Sequence, residues 1–262
     1  MPFAPPLLAA DEPAAVGTDR AAGRSPFVLA CDHAGNAVPR SLGCLGLGLD
    51  DRLRHIAWDI GALGVARRLA AVLGAPLVWQ TYSRLVIDCN RGPWAPDFIP
   101  TISEHTMVPG NLGLSVNDRA ARIEAIFAPY HQRLASILDG RHAAGQPAVL
   151  VAIHSFTPIF KGVPRPWHVG VLSNRDRRLA APMLADLRRD GRLCVGDNEP
   201  YAVSDATDYT IPVHGETRGI PHVEIEIRQD LIGDEAGQAA WAERLAGCLK
   251  RGFASLVGTS AA

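Results

Sequence analysis

Lysine is almost missing from this chain of 262 residues: Lys161 and Lys250 stand alone, and arginine carries the positive charge. With so much alanine, glycine and proline, the bias reads as GC-rich coding rather than function. Excess charge is missing too, since the formal net charge is −1. No basic run is dense enough to recruit nucleic acid or an anionic membrane surface. No apolar run approaches the roughly 20 residues that a membrane helix needs. The first residues lack a basic stretch, and proline and aspartate interrupt their apolar ones, which argues against a signal peptide. The five cysteines, Cys31, Cys44, Cys89, Cys194 and Cys248, form no Cys-x-x-Cys pair. An odd number without a secretion signal reads as reduced thiols and a cytoplasmic location. Cys31 and Cys89 adjoin candidate site residues, and their ordinary reading is as small buried hydrophobes.

What is present is an alternation of strand-like and helix-like segments. Residues 1–24, rich in alanine and proline without periodicity, read as a flexible tail. Residues 25–257 read as one α/β domain, a size that a single core supports. Short apolar runs predict strands at 27–31, 76–80, 84–89, 148–153, 168–172 and 223–227. Helical spacing predicts helices at 59–73, 118–138 (with Pro129 as a kink or break), 176–189 and 236–253. Two long loops, 92–117 and 196–218, are of the length that carries function. Strands separated by helices imply a sandwich around a mostly parallel sheet, with ligands collecting beyond the strands' carboxyl ends.

His33, Asn90, His154 and Glu226 lie at or near such ends. His33 and His154 each follow a buried run into a small-residue turn, which suits two nitrogen ligands of one catalytic zinc. The third ligand has three candidates: Asn36, whose neutral amide oxygen binds zinc weakly, and the carboxylates of Asp32 and Asp59. Asp59 also reads as an ordinary negative charge opening a helix. Strand alternation puts His222, Glu224 and Glu226 on one face, where carboxylates are costly to bury unless used. Glu226 is the candidate general base, passing a proton from the attacking water to a leaving nitrogen. Glu224 suits orienting a ligand or binding solvent. Arg84 and Arg91 flank the expected third strand; one suits a substrate carboxylate and the other a developing oxyanion. Arg165, Arg175 and Arg218 are further candidates for that work, and Tyr209 joins Arg218 as an expected substrate contact. His131 reads as packing.

These strings resemble a known family. Asp32-His33-Ala34-Gly35-Asn36, Tyr82-Ser83-Arg84 through Asp88-Cys89-Asn90-Arg91, Ile153-His154-Ser155-Phe156 and His222-Val223-Glu224-Ile225-Glu226-Ile227-Arg228 look like the N-formylglutamate amidohydrolase family. The likeness runs from about Phe27 to Leu249. It implies a three-layer α/β/α sandwich of phosphorylase/hydrolase type, related to zinc carboxypeptidases and aspartoacylases. It also implies one zinc ion per chain, and a small N-acyl amino acid as substrate. By that resemblance His154 is a zinc ligand, Glu226 the base, Arg84 the carbonyl-polarising arginine, and Asn90 with Arg91 the carboxylate holder. The wider clan's first motif is His-x-x-Glu, whereas the fourth position here is Asn36. The expected activity is removal of the acyl group from an acidic N-acyl amino acid, N-formyl-L-glutamate first. The alternatives are a zinc hydrolase acting on a peptide or cell-wall fragment, and a binding relative without catalysis.

Overall fold

A computed structural model describes residues 6–258. Seven strands make the main sheet: β1 Val16–Asp19, β2 Phe27–Cys31, β3 Leu77–Gln80, β4 Val149–Phe156, β5 Val169–Leu172, β6 Val195–Asp197 and β7 His222–Arg228. Their spatial order is β1-β3-β2-β4-β7-β5-β6. The four strands β3, β2, β4 and β7 run parallel, β1 pairs antiparallel at one edge, and β5 with β6 reverses direction at the other. β2 and β4 are buried along their whole length, the pattern of strands covered on both faces.

The four longest α-helices are α1 Ala62–Leu73, α2 Ala128–Ala143, α3 Ala180–Leu187 and α4 Glu235–Gly258. Side chains on a strand alternate, so each strand feeds two cores. Leu29, Val151, Ile153, Ile225 and Ile227 meet α1, α3 and α4 on one face. Val28, Ala30, Leu150 and Ala152 face the other way, toward α2 and the apolar residues Leu85, Ile87, Phe98 and Val108 of the intervening loop. Three layers result, as expected. Among the described residues, no helix is long and apolar enough to cross a membrane.

Three sequence expectations need correction. Residues 84–89 are no strand. Their backbone turns on itself, with the Val86 amide donating to the Ser83 carbonyl and the Ser83 hydroxyl accepting from the Leu85 amide. The apolar run Leu85-Val86-Ile87 is buried by folding into the loop-side core rather than by pairing. The presumed tail contains β1, whose partner β3 is distant in sequence. A Cβ on Gly17 would stand 1.9 Å from Cε2 of Trp79, so the missing side chain lets that indole lie against β1. Residues 1–5 of that segment lie outside the described residues. Finally, the helix containing Pro129 does not break. A segment Val116–Arg122 widens into a π-helical turn, Ile123–Phe127, which leads into α2 with Pro129 in its first turn. The proline cannot donate to the preceding turn, and the widened turn directly before it accommodates that inside a continuous helix.

The loop over the second face is fixed by polar side chains. Arg122, 1% exposed, donates from Nη1 to the Val86 carbonyl at 2.8 Å and to Oδ1 of Asn111 at 2.7 Å. Asn111 Nδ2 donates to the carbonyls of Leu85 at 2.8 Å and Pro100 at 2.6 Å. Asn111→Ala leaves these buried partners unpaired. It is expected to lower stability by about 2–4 kcal/mol in urea denaturation, with secondary structure unchanged by circular dichroism.

Candidate active site

Three elements converge where the parallel strands end. His33 stands in the turn just beyond β2. His154 is the sixth residue of β4, on the same face as Leu150 and Ala152, and therefore under the loops. Asp59 lies in the turn before α1; its amide donates to the His33 carbonyl at 2.9 Å and its carbonyl accepts from the Ala62 amide. The helix thus starts later than its sequence suggests, and Asp59 faces inward. Its Oδ2 lies 2.8 Å from Nδ1 of His154 and 3.4 Å from Nδ1 of His33. His33, Asp59 and His154 form a buried group able to hold a metal ion.

Each imidazole is held from behind by a further carboxylate. His33 Nε2 donates to Asp88 at 2.7 Å and His154 Nε2 donates to Asp32 at 2.9 Å. Asp88 also accepts from Arg84 Nε at 3.0 Å and from the Asn90 amide at 2.9 Å, and Asp32 accepts from the Thr210 hydroxyl at 2.6 Å. Nδ1 of both rings turns toward Asp59, that of His154 within hydrogen-bond distance of its Oδ2. Carboxylates backing ligand histidines in this way fix the tautomer and strengthen the donor. Burial and the Arg84 charge oppose a charged His33, yet Asp88 and Asp59 outweigh them and its pKa rises. At His154 burial is likewise overcome, chiefly by Glu224, Asp32 and Asp59. Asp32 resists burial through His154 and is held down to about 2.

Glu226 of β7 sits opposite His154 of β4, and Glu224 opposite Ala152. Burial lifts both carboxyls to about 8; Asp59 adds to the rise at Glu226 and Asp208 to that at Glu224, against the His154 charge. Among the described residues, Oε2 of Glu226 has no hydrogen-bond partner, and neither has Nδ1 of His33. Both residues line one cleft of about 410 Å³ with Asp59, Arg84, Asn90, Arg91, His154 and Glu224.

The site residues expected from sequence divide clearly. His33, His154, Asp59, Glu226, Arg84, Asn90 and Arg91 meet at the cleft, although Arg84 to Arg91 form a turn rather than flank a strand. Asn90 is spent on structure: its Oδ1 accepts from the amides of Tyr209 and Thr210 at 3.1 and 3.0 Å. Asn36 does not join the metal group; its amide donates to the Arg52 carbonyl. Arg218 is elsewhere, paired with Asp139 of α2 beside a separate hollow near Leu138 and His142. The Tyr209 ring packs on Phe127 and His131 instead of lining the cleft. His131 is packing, as expected, with Nδ1 3.0 Å from Nε2 of His214. Cys31 and Cys89 are buried thiols whose pKa burial pushes up. The backing role of Asp88 and the placement of Thr210 and Tyr201 were not foreseen. Asp88 carried a signal, an acidic residue four after Arg84, but nothing in sequence tied it to His33.

The family model for N-formylglutamate amidohydrolase matches residues 25–233. A gene product of Agrobacterium tumefaciens, Atu2144, has a crystal structure with a TM-score of 0.92 and 41% identity, the match covering 95% of this chain and 99% of that one. The N-formylglutamate amidohydrolase of Ralstonia eutropha JMP134 has a TM-score of 0.65 at 21% identity, covering 94% of this chain and 99% of that one, and bears on the fold alone. No curated protein matches the chain. The likeness read from the four sequence strings therefore holds across most of the chain, and the protein belongs to the N-formylglutamate amidohydrolase family.

Proposed function

We propose that the protein is a zinc-dependent amidohydrolase that cleaves the acyl amide of an acidic N-acyl amino acid, N-formyl-L-glutamate first, releasing formate and the amino acid. One observation carries this reading. Two imidazole Nδ1 atoms and a carboxylate oxygen converge in a cleft that also holds a carboxyl with an unpaired oxygen. His33 Nδ1 makes no hydrogen bond among the described residues and stands 3.4 Å from Asp59 Oδ2, placed to give its lone pair to a cation between them. Two nitrogens and one oxygen are a donor set suited to zinc, with a position left open. The residues therefore fit the ion, with His33, His154 and Asp59 as its ligands.

When bound, zinc supplies a Lewis acid that polarises the scissile carbonyl and makes water acidic enough to attack at neutral pH. The remaining work falls to the chain. Asp88 and Asp32 keep the imidazoles oriented. Burial raises the Glu226 carboxyl and a neighbouring cation would favour its ionised form, in which Oε2 takes the proton of the attacking water and delivers it to the amide nitrogen as the carbon–nitrogen bond breaks. Arg84, fixed by Asp88 at 2.7 Å, offers its charge to the oxygen on which negative charge develops. A small N-acyl amino acid is the partner, and the likeness to the family supports the formyl group.

Formate release from N-formyl-L-glutamate is expected with zinc-loaded protein and is expected to stop after chelation. No turnover by protein shown to hold one zinc per chain would sink the substrate assignment. Glu226→Gln is expected to keep its zinc and lose about 10²- to 10⁴-fold in kcat, read by the same formate assay. Asp88→Asn removes the negative charge that backs His33, so zinc affinity is expected to fall about 10- to 100-fold in a competition titration with a metal indicator.

A further inference from the structure

An acidic substrate needs a cation that the protein has not already neutralised. Two arginines line the cleft, and a third, Arg165, stacks on rings that line it; Arg84 pairs with Asp88 and approaches Asp59. Arg91 donates from Nε to Asp97 at 2.9 Å and lies 3.5 Å from Asp208. Arg165 has no carboxylate partner among the described residues. It arises from the strand that carries His154: β4 ends at Phe156, and a hairpin pairs Ile159–Phe160 with Val163–Pro164. Lys161 and Gly162, both at positive φ, form its tip. The Arg165 amide then closes on the Pro158 carbonyl at 2.8 Å. The chain thus returns Arg165 to the end of β4.

The guanidinium is fixed there by aromatic rings. Its carbon lies 4.5 Å from the ring centre of Phe160, 4.7 Å from Tyr201 and 5.8 Å from Phe156. Nη1 donates to the Tyr201 hydroxyl at 2.8 Å, and Nε and Nη2 keep no protein acceptor among the described residues. All three rings line the cleft. Tyr201 also feels both charges: after burial, Glu226 raises its phenol pKa, and Arg165 opposes that rise. A stacked, half-buried guanidinium with free donors is preorganised to grip a carboxylate by two parallel hydrogen bonds.

We infer that Arg165, stacked on Phe160 and Tyr201, takes the side-chain carboxylate of the substrate, so that the cleft selects dianionic N-acyl amino acids over singly charged ones. The inference rests on the amidohydrolase reading for the identity of the substrate, not for the site itself. It moves the carboxylate contact away from Asn90 and Arg91, whose hydrogen bonds and charge are already committed.

The test compares pairs that differ by one charge. Zinc-loaded wild type is expected to prefer N-formyl-L-glutamate over N-formyl-L-glutamine by about 10- to 100-fold in kcat/KM, the worth of a charge-assisted contact. Arg165→Gln is expected to raise KM for the glutamate substrate with little change in kcat, bringing the ratio near one. Arg165→Lys is expected to restore part of it. Calorimetric titration with glutarate and its monoamide, glutaramate, reads the same preference without turnover. A preference that survives Arg165→Gln in both assays, one that Arg91→Gln abolishes instead, or no binding of glutarate to wild type overturns the assignment. Wild type that hydrolyses neither substrate, yet prefers glutarate through Arg165, fails the amidohydrolase reading and leaves the assignment standing.

Discussion

One parallel pairing governs the cleft: β7 lies against β4 in a register that sets Glu226 opposite His154. Side chains on a strand repeat every second residue, so this register also sends Ile225, Ile227 and Ile153 into the helix-covered core. A slip by one residue would bury the carboxyls among α1, α3 and α4 and turn isoleucines into the cleft. The hydrophobic energy of the core therefore enforces the placement of the polar pair, which on its own would favour solvent.

That placement concentrates charge where water is scarce. Asp32, Asp59, Asp88, Glu224 and Glu226 are all buried around two histidines and the guanidinium of Arg84. Such a cluster is stable only when each carboxylate is matched or protonated. Asp32 and Asp88 are matched by histidine hydrogen bonds, while burial raises the two glutamates. Asp59 Oδ2 stands between the two Nδ1 atoms and accepts from the Ser155 amide at 3.3 Å, a position from which one carboxylate and two imidazoles can share a cation, in keeping with the metal reading.

Much of this was legible in the residues, for reasons of period and spacing. Val149 to Ile153 and Val223 to Ile227 are β-branched runs long enough for a buried strand, and the alternation of His222, Glu224 and Glu226 marked one polar face. The run Arg84 to Cys89 has the same local composition, and it misled because burial can come from a folded loop as well as from a ladder. What separates the two is the polar set Ser83, Asn111 and Arg122, which satisfies the carbonyls and amides that a sheet would otherwise pair. β1 was invisible because its strand state comes from Trp79, sixty-odd residues away. Asn36 and Arg218 drew attention through a motif position and a charge; their partners, the Arg52 carbonyl and Asp139, belong to distant segments. Asp59 stayed ambiguous for the opposite reason, since a turn before a helix can aim its side chain either way.

The hairpin between Phe156 and Arg165 separates two tasks along one stretch of chain. Its upstream end is locked in the sheet with His154, while its tip at Lys161 and Gly162 lies at the surface. Lengthening or reshaping that tip would shift Phe160 and Arg165 without disturbing the histidine. The shape of the hairpin is thus separable from the position of His154, and the hairpin can be altered while the two histidines and Asp59 stay where they are.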